Sequence, residues 1–186
     1  FIQWIHARVR SKNKSITKDA AMGLEEIGGT NLRTLAKEIE ALMVYIGNRE
    51  SITLEDIHAL SAETSTSIFA FNEAMKQRNK KVMLESVKKL MENGDDPIKL
   101  LGLITANIRL YHQVLLRLQN REAPNSIAKA LGKNPYYLSK IVPDIRNHYS
   151  LHITKAAYTR LSETDTAIKQ GKLPPKRAIE LAVLHI

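Results

Sequence analysis

The sequence predicts an all-α protein made of two helical domains, a small one followed by a larger one. Three observations carry that expectation. Apolar residues recur at intervals of three and four along most of the 186 residues, the spacing that gives a helix one oily face. Aromatic content is only 5%, and glycine and proline number 8 and 6, a composition that suits helices better than a sandwich or a barrel. Charge is unevenly placed: residues 1–96 carry 14 Lys+Arg and 14 Asp+Glu, whereas residues 97–186 carry 14 and 5, so the whole formal charge of +9 lies in the second half. That asymmetry points to a domain boundary near the middle and to an acidic partner for the second part, beside the plainer reading of a solvated basic surface.

Composition narrows the class further. With 44% apolar residues the chain can bury one large core or two small ones. It has no cysteine, which rules out a disulfide framework and a thiolate metal site and fits a reducing cytoplasm. No apolar run approaches the roughly 20 residues that span a bilayer, and the opening Phe1-Ile-Gln-Trp-Ile-His-Ala-Arg8 does not resemble a signal peptide. The expectation is a soluble, cytoplasmic protein. Because the first residue is Phe1 and not Met, the chain is expected to begin inside a longer one.

Taken in order, residues 1–10 form a helix with Ile2, Ile5 and Val9 on one side and Trp4 beside them. Arg8, Arg10, Lys12 and Lys14 follow as a basic run that could touch phosphate or simply be solvated. Ser15-Ile-Thr17 offers an N-cap ahead of Asp19, and Ala20, Ala21, Leu24 and Ile27 give a stripe that stops at Gly28-Gly29. The next helix starts after Thr30 or Asn31 as cap and runs through Leu32, Leu35, Ile39, Leu42, Met43 and Ile46 to Gly47, where a missing Cβ suits the left-handed stop. A shorter helix starts at Thr53 with Glu55 and Asp56 in its first turn, facing the positive end of the helix dipole. Ala62-Glu-Thr-Ser-Thr-Ser67 is polar and aperiodic and reads as a linker.

The second domain opens with Ile68, Phe69, Phe71, Ala74 and Met75 on one helix and Val82, Leu84, Val87, Leu90 and Met91 on another, closed by Asn93-Gly94. Asp96 then caps and Pro97 takes the first helical position, where its missing N–H is harmless. Residues 98–119, with Leu100, Leu101, Ile104, Ile108, Tyr111, Leu115 and Leu118, are expected to be the central helix of this domain. Shorter helices follow at about 125–131, 135–147, 151–169 and 174–185. No repeat and no low-complexity tract interrupts them.

Few residues offer chemistry. A phosphate-cradling loop needs Gly-x-x-x-x-Gly-Lys-Ser/Thr, and the chain contains none. His148 and His152 are four apart and could share a helix face as metal ligands do, but no third ligand is evident, no Glu follows His148, and Ser150 between them can break the helix. No metal, no cofactor and no catalytic group is assigned. Ser126-Ile-Ala-Lys-Ala-Leu-Gly-Lys-Asn-Pro-Tyr-Tyr-Leu-Ser-Lys-Ile141 has the order of a helix-turn-helix, with Gly132 at the turn and Tyr136, Tyr137, Ser139 and Lys140 on the second helix. Pro143 would end such a recognition helix early, and the two tyrosines suit packing better than base reading.

Longer patterns narrow the reading. Gly-x-Asn-Leu-Arg-x-Leu-x-x-Glu-Ile-x-x-Leu at residues 29–42, then Ile-Thr-x-Glu-Asp-Ile at 52–57, resembles the lid domain of bacterial DNA polymerase III delta subunits, members of the AAA+ clamp-loader group. Ala-Lys-Ala-Leu-Gly-x-Asn-Pro-Tyr is similar to a segment of that family's collar domain, and Leu161 to Gly171 matches its Leu-x-x-x-Asp-x-x-Ile-Lys-x-Gly. Bottom-up, Gly171 ends a helix, Lys169 suits its negative end, and Asp165 lies four residues before it in pairing distance. The resemblance implies a lid at 1–62 and a collar at 63–186, with motif positions Asn31, Leu32, Arg33, Glu38, Leu42, Asp165, Ile168, Lys169 and Gly171.

It further implies an assembly role: a collar that meets the motor and delta-prime subunits, and a sliding clamp gripped by an amino-terminal domain that this chain does not include. DNA is a further partner, and the parent complex is a DNA-directed DNA polymerase, a nucleotidyltransferase, although no catalysis is expected of this fragment. Arg33 stands where nucleotide-hydrolysing relatives place a lid arginine on the phosphates. In the delta family the resemblance implies a structural role for it. The alternative is a helical nucleic-acid-binding regulator using residues 126–141.

Overall fold

A computed structural model of the chain describes residues 1–28, 32–60, 71–133 and 135–186. The chain divides into two compact units, Phe1–Phe69 and Ala70–Ile186. The all-α expectation holds: among the described residues, every element longer than two residues is a helix.

The first unit contains α1 (Ile2–Arg10), β1 (Ser15–Ile16), α2 (Lys18–Gly28), α3 (Leu32–Ile46), β2 (Ser51–Ile52) and α4 (Leu54–Leu60). Its core gathers Ile5 and Val9 of α1, Ala20, Ala21 and Leu24 of α2, Leu35, Ile39, Leu42 and Ile46 of α3, and Ile57 of α4, closed by Ile16 and Ile52. On α3 the buried residues are those spaced three and four apart, as a one-faced helix requires. Leu32 lies on the same stripe yet is 44% exposed, and Met43 only flanks the core. The buried face therefore starts one turn later than expected, at Leu35.

Two features of this unit escape periodicity. β1 and β2 pair in parallel, Ser15 opposite Ser51 and Ile16 opposite Ile52. Strands of two residues carry no alternation to read. Thr17 then caps α2 by accepting from the Ala20 N–H at 3.3 Å, so the expected cap segment does both jobs. The basic run is partly structural. Arg8 pairs with Glu40 at 2.9 Å, and the Lys14 ammonium donates to the Gly47 and Arg49 carbonyls at 2.8 and 2.6 Å, in the turn that follows α3. Thr30 and Asn31, the expected caps, and the linker at 62–67 lie outside the described residues.

The second unit contains α5, helical over 71–76, then α6 (Lys80–Glu92), α7 (Pro97–Gln119), α8 (Pro124–Ala130), α9 (Pro135–His148), α10 (Leu151–Lys169) and α11 (Pro175–Leu184). α7 is its axis: 23 residues, about 34 Å long at 1.5 Å per residue, packed against α8, α9, α10 and α11. It opens as expected, with Asp96 accepting from the Ile98 N–H at 2.8 Å and Pro97 in the first turn. Leu100, Leu101, Ile104, Ile108, Tyr111 and Val114 are buried, while Leu115 and Leu118 are only half-buried.

Two expectations need correction here. On α6 the buried line is Met83, Ser86, Val87 and Leu90, not Val82, Leu84 and Met91, which flank it. The polar Ser86 interrupts the stripe in the sequence and hides its true position. Pro143 does not end α9, which runs on to His148. Leu138, Ile141, Ile145 and Tyr149 fall at helical spacing and are all buried, and that burial offsets the roughly 3 kcal/mol cost of an interior proline. Chain reversals follow Gly132 (φ +61°) and Gly171 (φ +67°), each in the left-handed region after a helix end. At Gly171 the Lys172 N–H reaches the Ala167 carbonyl at 2.9 Å and the Gly171 N–H the Ile168 carbonyl at 3.0 Å, the paired bonds of a Schellman stop.

Candidate functional site

In the first unit the motif positions separate by exposure. Leu42 is core, Glu38 is half-buried, and Leu32 and Arg33 are exposed on the first turn of α3. The sharper geometry lies at α4. Thr53 and Asp56 form a reciprocal cap: the Thr53 hydroxyl accepts from the Asp56 N–H at 3.4 Å, while the Asp56 carboxylate accepts from the Thr53 N–H at 2.8 Å and from its hydroxyl at 3.0 Å. Arg49 closes on the same carboxylate at 2.7 Å. Burial pushes the Asp56 carboxyl up, but the Thr53 N–H, the Arg49 guanidinium and the Thr53 hydroxyl outweigh it and hold the pKa below the usual carboxylate value. The sequence places Asp56 in a first turn. Only the fold shows that it is buried and ties α4 to the end of α3.

Two candidate sites in the second unit resolve simply. His148 ends α9 and His152 lies in α10, which Ser150 caps by accepting from the Ile153 N–H at 3.2 Å, so the two rings do not share a helix. Among the described residues no group of three or more His, Asp or Glu is placed to hold a metal ion. The 126–141 segment does form two helices with Gly132 at the turn. Leu138 and Ile141 of its second helix are buried and Tyr137 is half-buried, while Ser139 and Lys140 face out. The Asp165–Lys169 pair is present at 2.6 Å, and Ile168 beside it is half-buried.

One group that the periodicity misses is Tyr149, in the connector after α9. Its hydroxyl donates to the Met75 carbonyl at 2.5 Å, and its ring lies 5.1 Å from that of Tyr111 at 56°. Burial pushes its phenol well above the ordinary value. The signal is present in the chain, since Tyr149 follows Ile145 by four residues and continues the α9 stripe past the helix end.

Concave surface runs along α7 and α10. One groove of about 390 Å³ is lined by Ile98, Leu101 and Ala106 of α7 and by Tyr158, Leu161 and Asp165 of α10, among others. A second, of about 410 Å³, continues through Arg109, His112 and Gln113 on α7 and Lys155, Tyr158 and Thr159 on α10. A third, of about 480 Å³, follows His152, Lys155, Thr159 and Arg160 along α10 itself. Arg109 lies over the Tyr158 ring at 5.8 Å and donates to its hydroxyl at 3.2 Å, while His112 Nδ1 and the Thr154 hydroxyl are 2.8 Å apart. The arrangement offers cations, an aromatic face and hydroxyls on an open surface. It is suited to binding.

Comparison with known proteins gives four findings. A family model described as the C-terminal domain of the DNA polymerase III delta subunit matches residues 65–186. The chain is 26% identical over 178 residues to DNA polymerase III subunit delta of Bacillus subtilis (strain 168), which covers 95% of this chain and 51% of that protein. It is 24% identical over 143 residues to the probable DNA polymerase III subunit delta of Aquifex aeolicus (strain VF5), 74% of this chain and 40% of the relative. Among solved structures, the DNA clamp loader delta protein of Bacillus subtilis superposes with a TM-score of 0.71 at 24% identity, over 98% of this chain and 54% of that one. The chain thus spans about half the length, or less, of the curated relatives it matches.

Proposed function

The chain belongs to the DNA polymerase III delta subunit family, and on that premise we propose that it supports assembly of the clamp loader that places the sliding clamp on primed DNA. The observation that carries this reading is the family match across residues 65–186, which covers the whole second unit. In this reading residues 1–62 are the AAA+ lid and residues 63–186 the collar, which meets the motor and delta-prime subunits in the cytoplasm. The clamp is gripped by the half of its relatives that this chain does not span.

Surface chemistry supports an assembly part. Val44 and Tyr45 in the first unit, and Ile98, Leu116, Leu181 and Leu184 in the second, are large apolar residues left 40% or more exposed, material for a subunit interface. Arg33, Leu32 and Glu38 are read as structural members of the lid, and Asp165, Ile168, Lys169 and Gly171 as the closing stretch of the collar. No helix among the described residues is long and apolar enough to cross a membrane. DNA is the proposed acidic partner of the basic unit, and the parent complex acts in polymerisation.

Co-elution tests the assembly role. Mixed with motor and delta-prime subunits, the chain is expected to leave a sizing column with them and to show no preferred DNA sequence. A chain that elutes alone and selects one DNA sequence would instead be a regulator reading bases with residues 126–141. Retention on primed DNA should fall steeply with salt, because each neutralised phosphate releases counterions.

A further inference from the structure

We propose that the groove between α7 and α10 seats one amphipathic helix of a neighbouring clamp-loader subunit, with a large apolar side chain over Gly102 and an acidic one, two turns further on, between Arg109 and Lys155. The proposal deepens the assembly reading and rests on it. Gly102 points to the missing neighbour. It lies inside α7 with an ordinary right-handed backbone, where glycine costs stability relative to alanine because it loses more freedom on folding. A Cβ placed on it would meet no atom from another part of the chain within 4 Å. The chain's own packing therefore gives no reason for a glycine, whereas close approach by another helix does.

The surroundings have the shape of a helix seat. His112 meets Thr154 and Arg109 meets Tyr158, so the two helices run antiparallel. The hollows of about 390 and 410 Å³ are each lined by both helices and share Arg109 and Tyr158, so they follow one another along the pair. From Ile98 to Gln113 on α7 they extend about 22 Å, or four turns. Buried Leu101 and Leu161 floor the end that holds Gly102, and Ile98 stands 55% exposed on its rim. An apolar ridge at helical spacing fills such a furrow. Charge then sets the direction. Arg109 lies seven residues, two turns, beyond Gly102, and Lys155 lines the same end. Neither cation has an ion-pair partner among the described residues, whereas Asp165, the one acid lining the two hollows, is already paired with Lys169. That end is positive and unanswered, and it suits an acidic side chain together with the negative C-terminal end of the incoming helix.

The test titrates labelled motor and delta-prime subunits, each separately, with the whole chain and reads fluorescence anisotropy. Gly102→Ala is expected to act with opposite signs: it should raise the melting temperature of the free chain by roughly 2–4 °C and weaken the complex. Gly102→Leu should weaken the complex about ten-fold or more, because a side chain then fills the space the partner needs. Arg109→Glu should weaken it at low salt and flatten its salt dependence. All three substitutions are at exposed positions, and thermal melting checks that each variant is folded. Parent-like affinity of Gly102→Leu would overturn the proposal. So would self-association of the free chain that Gly102→Leu abolishes, since the groove would then hold a second copy. Failure of the clamp-loader reading looks different: the parent chain itself would bind neither subunit, and the proposal would fall with that reading.

Discussion

The two units solve the same problem, how to hold short amphipathic helices together, in different ways. The first, Phe1–Phe69, is nearly neutral, with 8 Lys+Arg against 9 Asp+Glu, and none of its described helices exceeds 15 residues. It adds polar ties between segments distant in sequence: the β1–β2 pairing, the Lys14 bonds to the carbonyls after α3, and the Arg49–Asp56–Thr53 cluster. The second, Ala70–Ile186, carries a net +10 and is organised by one helix of 23 residues against which four others pack. A small body has too little apolar surface to fix its parts by burial alone, whereas a larger one can do so with a single long axis. Its outer faces are then left to charge.

The largest expected effect breaks the axis. Ile104→Ala, at a fully buried position of α7, should destabilise the protein by about 2–5 kcal/mol in urea denaturation, since it removes transfer energy and leaves a cavity. Next is the tie of the first unit. Asp56→Ala removes the carboxylate that accepts from Thr53 and pairs with Arg49, and should cost about 1–3 kcal/mol. Because the folded Asp56 pKa lies below its unfolded value, this stabilisation is complete above roughly pH 4 and is lost as pH falls through the folded value. An acid titration of melting temperature should therefore show a shallower acid limb in the variant than in the parent.

Tyr149→Phe sharpens the contrast from the other side. It strips one polar tie from the unit that relies on burial, and should cost about 1 kcal/mol by removing the buried Tyr149 hydroxyl bond to the Met75 carbonyl, which keeps only the Arg78 N–H at 3.1 Å. The folded Tyr149 phenol has a raised pKa, so its contribution is intact below about pH 10 and is lost as pH rises towards the folded value; the variant should lose that part of the alkaline limb. Smallest is the exposed Asp165–Lys169 pair. Lys169→Ala should lower stability in urea by only a few tenths of a kcal/mol, and a change above about 1 kcal/mol would mean that the pair has a role beyond its helix.

Legibility follows helix length. α7 and α10 are long; Asp96-Pro97 starts α7 where the sequence puts it, and Ser150, which the sequence offers only as a break, caps α10. The α6 face is hard to read because Ser86 occupies a core position, and Tyr149 escapes notice because it continues a stripe beyond its helix. Of the candidate surface, the sequence offers only the basic excess of the second half. That Arg109 and Tyr158, 49 residues apart, meet on one face depends on how α7 and α10 pack.

The amino-acid order by itself determined helical class, most helix starts and stops, and the charge difference between the two parts, because each depends on residues within a few turns of one another. Tertiary packing alone decided that Ser15-Ile16 pairs with Ser51-Ile52 and that Asp56 is buried beside Arg49. Those outcomes come from contacts between segments far apart in the chain, where burial outweighs local preference, and no local pattern records them.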